Sequence, residues 1–459
     1  MTIFRSLTIL WVIILIVVLP APADQGLGVN ETVIMESEIN IGTSAGDVWI
    51  SDGFAYVARF GENGVSIIDV TDPLDPQLAS VYHTSATSGT WDVKAAGGFA
   101  YLTPQNSGYG LVILDVSDPY APELVTNFSH PDVTSAHNIW LDEERGVAYL
   151  ASNTSGNVEV VDVSDPYNPI HLGHFESSAG HIHDMMIQGD VLYASFLEGG
   201  LYLGSVAASP VPTYLGSVEY SGAFTHNAWP TADGMYVLTT DEYTGAFIRI
   251  WDVSNPSNIT EVASYQKNPE AIPHNVHVRN RYAFISNYTE GLVVLDISDP
   301  ENPVEVGHYD TYLEPGGGFN GAWGVYPYDD YVYVSNLPGE LFVFTFKPAT
   351  LTLTEITEVV SPGGELSFRA SLEEDTGFNL DVTSMTSVVL PNGNPYSGNP
   401  VFGPVNLSLD PLTIISGRIR HNIPLAAPLG TYRYEVRVED EEGFRLHSET
   451  FFFDIIDSK

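Results

Sequence analysis

Cysteine is absent from all 459 residues. That excludes disulfide staples, thiolate metal sites, thiol nucleophiles and a cysteine-borne lipid anchor. Basic residues are scarce: 16 Lys plus Arg stand against 58 Asp plus Glu, a formal charge of −42. Such a surface repels phosphate backbones, so nucleic acid is not an expected partner. The acidic excess fits a solvated exterior, a saline medium or divalent cations. No Gly-rich phosphate loop follows a strand and opens a helix, HExxH does not occur, and no nucleophile elbow of the form GxSxG is expected. Amphipathic helical periodicity is missing as well, which argues against the α/β enzyme classes.

Long apolar runs are limited to one. Arg5 is followed by an apolar stretch from Leu7 to Leu19, then Pro20 and Ala21-Pro22-Ala23. A basic residue, a short apolar segment and small residues at A-x-A spacing describe a secretory signal peptide over residues 1–23. Residues 24–31 then form a short linker. The run is short for a spanning helix, which needs about 20 apolar residues. An uncleaved anchor is the competing reading. The mature chain is expected to carry no transmembrane segment and to be secreted, extracellular or at the cell surface. N-x-S/T sequons at Asn30, Asn127, Asn153, Asn258, Asn287 and Asn406 fit that side of the membrane.

What is present is a repeat. Tyr (25), Phe (21), Gly (41) and Pro (30) give a β-rich profile with frequent turns. The phrase GLVILDVSDPYAPELV from Gly110 returns from Gly64, Asn157, Phe247 and Gly291, with worn copies from Gly200 and Glu340. Each unit of about 42 to 49 residues reads as four short strands. That is the signature of a propeller blade, and seven units close a ring. The opening segment VIMESEINIG, entered at about Thr32, reads as a fourth strand, whereas the seventh unit stops after three at Phe346. The first segment is therefore expected to complete the last blade, leaving no open edge. In the Asp-Pro turn, Asp162 and Asp165 suit backbone-capping roles and Pro166 sets the corner. That structural reading stands against calcium or acid–base work by the paired carboxylates.

The core of the repeat, LVILDVSDP at 111–119 and LVVLDISDP at 292–300, resembles the LVIVD repeat family of secreted prokaryotic propellers. The resemblance covers roughly residues 32–347 and implies the fold. It departs from the family pattern in the fourth unit, where Gly204 replaces the usual Asp and VAASPVP replaces the turn. From Ala349 the period is lost, and short alternating strands predict an antiparallel β-sandwich over residues 348–459. GTYRYEVRVEDEEG from Gly430 is similar to immunoglobulin-like modules of surface proteins. The expected fold is all-β: a seven-bladed β-propeller followed by a small antiparallel β-sandwich.

Aligning the opening strands gives one pair per unit: Gly46-Asp47, Trp91-Asp92, His137-Asn138, His183-Asp184, His226-Asn227, His274-Asn275 and Trp323-Gly324. The first strand of a blade is innermost, so these pairs should ring one mouth of the channel. His137, His183, His226 and His274 are candidate ligands for one transition-metal ion, since imidazole suits Zn, Cu, Fe and Ni. The competing reading has neutral imidazoles satisfying backbone groups at a crowded hub. Loops between second and third strands crown the same mouth. They are polar and Gly-rich, which suits recognition. Asp241, Glu242 and Tyr243 lie in one of them, read individually as a solvated loop. No catalytic constellation emerges. The leading expectation is a monomeric, non-enzymatic binding protein without a cofactor, taking an extracellular protein, peptide or glycan. The alternative is a hub-metal oxidoreductase or hydrolase.

Overall fold

A computed structural model of the chain describes residues 19–20, 32–85, 88–177, 180–314, 318–411, 413–440 and 443–457. The expected signal peptide and linker lie outside these residues, apart from a two-residue strand, Leu19–Pro20, whose backbone pairs with Thr413 and Ile414. No helix occurs among the described residues, and none is long and apolar enough to cross a membrane. The chain divides into two compact units, Val33–Thr345 and Phe346–Lys459, the second including residues 1–32.

The first unit is seven four-stranded sheets. Blade 3 shows the pattern: Ala136–Asp142 innermost, then Val147–Ser152, Val158–Asp162 and Ile170–Phe175, each antiparallel to the last. The innermost strands of the other blades are Ala45–Ser51, Thr90–Ala96, Asp184–Gln188, Thr225–Pro230, Val276–Arg279 and Ala322–Tyr328. Blade 7 takes its outer strand, Val33–Asn40, from the start of the chain. The expected clasp is present: the Ile41 amide donates to the Gly339 carbonyl and the Lys347 amide to the Thr32 carbonyl.

Blades are covered on both faces, which is why the third strands read as apolar runs rather than alternating ones. Leu111, Val112, Ile113 and Leu114 are all fully buried. The core is a ring of clusters between consecutive blades. One joins Val48, Ile50 and Ile68 of blade 1 to Tyr333, Leu341 and Val343 of blade 7, so the circle is shut. Between third and fourth strands the register shifts once in each of blades 1 to 6, as at Val160/Val161 and Val294/Leu295. Such bulges increase local twist, which a wedge-shaped blade needs.

The Asp-Pro turns are capping turns. Asp162 Oδ1 accepts the Ser164 amide at 2.9 Å and the Ser164 hydroxyl at 2.6 Å, and Asp165 Oδ1 accepts the Tyr167 amide at 3.1 Å. Blade 4 corrects the sequence alignment: Ser205, not Gly204, takes the place of Asp162, since each pairs with the first residue of its blade's second strand, and Ser205 Oγ accepts the Ala207 amide. Ser209, one residue beyond the Asp165 position, accepts the Val211 amide through its Oγ. These turns share a face with the turns between first and second strands, since the Val116 amide reaches the Gly98 carbonyl. Second-to-third-strand loops and interblade connections share the opposite face, as the Gln105 amide bonded to the Gly89 carbonyl shows.

The second unit has two sheets. Ala349–Thr354, Glu365–Glu374 and Thr413–Asn422 form one, joined by Leu19–Pro20. Val359–Val360, Arg445–Ile455, Gly430–Glu439, Leu380–Val389 and Phe402–Leu409 form the other in that order. They pack through Phe368, whose ring centroid lies 5.2 Å from Tyr434 and 5.1 Å from Phe451. The expected all-antiparallel pattern is broken once: Val359–Val360 runs parallel to Asp454–Ile455. Among the sequons, Asn127, Asn153, Asn258 and Asn406 are exposed. Asn287 is buried, so it cannot carry a glycan in the folded chain.

Candidate functional site

Successive side chains of a strand alternate between its faces. At the head of several inner strands a register shift intervenes: Ala45/Val48, Thr90/Asp92, Ala136/Ile139, Thr225/Asn227 and Ala322/Val325. Bulges re-aim side chains. Both members of the recurring pair consequently turn to the axis: His137 and Asn138 line one and the same cavity.

The first members form a closed belt of rings. Centroid separations run 4.5 Å from Trp91 to His137, 4.0 Å to His183, 4.0 Å to His226, 4.2 Å to His274 and 4.4 Å to Trp323. Trp323 returns to Trp91 at 6.0 Å. Blade 1 contributes Gly46, where an added Cβ would sit 2.6 Å from the Trp91 carbonyl oxygen. Phe60 fills that gap, 4.8 Å from Trp91 and 5.0 Å from Trp323.

The second members form a polar layer behind the belt. Lys94 Nζ lies 2.5 Å from Asp92 Oδ1 and 3.2 Å from Asp47 Oδ2. Burial works against the Lys94 charge, but Asp92 and Asp47 outweigh it and hold the pKa above the ordinary lysine value. Asn227 donates to Asp184 at 2.5 Å. Burial pushes the Asp184 carboxyl up to about 7. Two residues further along the strands comes another aromatic layer: Trp49, Trp140, Trp229, His277 and Tyr326, with Trp229 stacked on His277 at 3.7 Å. Cavities of about 10 and 30 Å³ remain on the axis, the first bounded by the four histidines, the second by the polar and lower aromatic layers.

The histidines are oriented by backbone. His183 Nδ1 lies 3.2 Å from the His226 carbonyl oxygen, His226 Nδ1 3.0 Å from that of His274, and His274 Nδ1 2.6 Å from that of Trp323. A carbonyl only accepts, so Nδ1 carries the proton in these three rings and Nε2 keeps its lone pair. His137 differs: the Gln105 amide nitrogen lies 2.8 Å from its Nδ1 and donates to it, so its proton sits on Nε2. Burial lowers the pKa of all four, that of His183 and His274 to about 4, and neighbouring imidazoles add to the effect at His137 and His226. All four are neutral at pH 7.

The structure corrects the reading of Asp241 and Glu242 as solvated. Asp241 is buried and accepts from the Tyr220 hydroxyl at 2.7 Å, the Phe224 amide at 2.9 Å and Arg249 Nε at 3.0 Å. That anchor leads Glu242 over the belt. Its carboxylate lies 3.7 Å from His226 Nε2 and 3.9 Å from His274 Nε2, and accepts the Tyr288 hydroxyl at 2.6 Å. One ring nitrogen each of His183 and His226 and one Glu242 oxygen fall within 4.8 Å of one another. His137 and His274 sit in the same belt outside that group. His274 Nε2 is buried without a hydrogen-bond partner. Glu242 and Tyr288 belong to single loops rather than to the repeat, so alignment of units gives them no signal. The expectation that no GxSxG spacing occurs is corrected: Gly42-Thr43-Ser44-Ala45-Gly46 has it, but it joins two strands rather than a strand to a helix and so forms no nucleophile elbow.

The LVIVD repeat signature matches residues 42–84, 89–129, 246–267 and 273–311, in blades 1, 2, 5 and 6. No curated protein sequence matches the chain. Among solved structures, the β-propeller domain of Cps50 (Swd1) from Myceliophteria thermophila is similar over 68% of this chain and 99% of that one. Its TM-score is 0.51 at 13% identity, a likeness of fold.

Proposed function

We propose that this is a secreted or cell-surface binding protein whose propeller receives an extracellular protein, peptide or glycan on its mouth face. The chain carries LVIVD repeats on a β-propeller, a fold that serves as an interaction scaffold. One observation carries the choice of surface recognition. The channel is filled by three side-chain layers, and its axial cavities of about 30 and 10 Å³ hold no more than water-sized groups. A site that engulfs a small molecule usually offers about 300–1,000 Å³. Recognition therefore falls to the loops, where Phe319 (54% exposed) and Tyr243 (37% exposed) stand on the mouth face. Exposed aromatics of this kind are favoured in interface cores. The second unit acts as an immunoglobulin-like spacer.

The test is display panning and glycan-array probing of the tag-free mature chain. Binders selected on the native protein should be lost on Tyr243→Ser plus Phe319→Ser. They should persist on Tyr120→Ser plus Tyr167→Ser, which alter exposed residues on the opposite turn face. Binding that follows the turn-face pair instead refutes the assignment.

A further inference from the structure

We propose that the propeller mouth is also a metal centre, in which His183, His226 and Glu242 hold one divalent transition-metal ion. This goes beyond surface recognition and does not depend on it.

Three observations converge. The first is distance. The three ligand atoms lie within 4.8 Å of each other, and His226 Nε2 is already 3.7 Å from a Glu242 oxygen. Bonds of about 2.0–2.1 Å to a tetrahedral ion place ligand atoms about 3.3 Å apart, so closure requires only sub-ångström movement of each atom. The second is orientation. His183 and His226 each give the Nδ1 proton to a backbone carbonyl, which aims an unprotonated Nε2 at the mouth. Ligating histidines characteristically donate the other ring N–H in this way, and ligating carboxylates are themselves hydrogen-bonded. Tyr288 supplies that bond to Glu242, and the saturated Asp241 fixes the loop. The third is an orphan. His274 Nε2 is buried, has no hydrogen-bond partner and lies 3.9 Å from the same carboxylate. It stands beside the fourth coordination position, placed to accept a hydrogen bond from a water or ligand bound there.

The donor set decides the class of ion. Two neutral imidazoles and one carboxylate suit Zn²⁺, Fe²⁺, Co²⁺ or Ni²⁺ rather than Mg²⁺ or Ca²⁺, which prefer oxygen. His137 is excluded, because Gln105 occupies its Nδ1 and leaves the proton on Nε2.

The probe is Zn²⁺, titrated calorimetrically at pH 7.5 into chelator-stripped full-length protein without a His tag, followed by X-ray absorption at the zinc edge. The expected result is one equivalent per chain with two imidazoles and a carboxylate in the shell. Glu242→Gln and His183→Gln should each weaken binding about 100-fold, and Tyr288→Phe about tenfold. His171→Gln, at a separate imidazole–carboxylate contact with Glu159, should leave binding unchanged. Glu242 and His183 are only partly buried, so their variants keep the test valid even if His226→Gln does not fold. Absence of stoichiometric Zn²⁺ overturns the proposal. So does binding indifferent to Glu242→Gln and His183→Gln, binding lost with His171→Gln, or a shell without imidazole.

Discussion

His226 donates its Nδ1 proton to the carbonyl oxygen of His274, 3.0 Å away in the next blade. His183 does the same toward His226, and His274 toward Trp323. Each imidazole thus ties its own blade to the following one, and the chain of contacts runs round the hub. One bond serves two ends, because satisfying a buried carbonyl also sets the tautomer.

Acid should loosen this hub before it reaches the carboxylates of the Asp-Pro turns. Burial holds the His274 pKa near 4, against an ordinary value of 6.5. The folded state thus refuses a proton that the unfolded chain accepts. The His274 contribution to stability is complete above pH 6.5, falls from 6.5 to about 4, and levels off below. His274 is 2% exposed, so about 3 kcal/mol rides on it alone. The difference in denaturant midpoint between the native chain and His274→Gln, measured every half pH unit from 8 to 4, should isolate this slope from the opposite one that Asp184, with its carboxyl raised to about 7, gives over the same range.

A second acid window should open lower down. Hydrogen bonds at the Asp-Pro turns lower the pKa of Asp69, chiefly through Tyr120, and of Asp115 and Asp252 through Ser117 and Ser254. Carboxylates with depressed values stabilise above their unfolded value and lose that contribution as pH falls. Unfolding between pH 4 and 2 should shift upward in Asp115→Asn plus Asp252→Asn. At pH 7 each such change should cost only about 0.5–1 kcal/mol, because the turn is solvated.

Gly46→Ala should destabilise by about 1–3 kcal/mol, the range for overpacking a tight site. Its Cβ would meet the Trp91 carbonyl at 2.6 Å and Ala58 Cβ at 3.2 Å. A change in near-ultraviolet circular dichroism from the Trp91, Trp323 and Phe60 cluster should accompany the loss.

Most of the fold was legible because one strand–turn sentence recurs, and a repeat of this size admits few closed architectures. The imidazole belt was legible for the same reason: aligned units placed His137, His183, His226 and His274 in one ring. What escaped is what the repeat does not write. Glu242 reaches the belt only because buried Asp241 anchors its loop, and Tyr288 holds it through a contact 46 residues away in sequence. Trp49, Trp140 and Trp229 follow the polar pairs at period two, a signal present but overlooked behind the apolar residue between. In the second unit the strand Phe402–Leu409 is hard to read from sequence, because Pro404 argues against a strand. It lies at the edge of its sheet, where a missing amide is tolerated.

Removing residues 1–40 should strip blade 7 of its outer strand and expose the edge of Glu340–Phe346. Open edges invite association. The truncated protein should lose about 10 °C or more in Tm, equivalent to several kcal/mol, and self-associate in sedimentation, whereas chain lacking only 1–23 should stay monomeric.

The most direct measurement is nitrogen-15 NMR of histidine-labelled protein at pH 7, which distinguishes protonated from bare ring nitrogens. The predicted result is His183, His226 and His274 as neutral rings protonated at Nδ1, with His137 protonated at Nε2. Rings that are doubly protonated, or Nε2-protonated at His183 and His226, would contradict the hub described here, because no lone pair would then face Glu242.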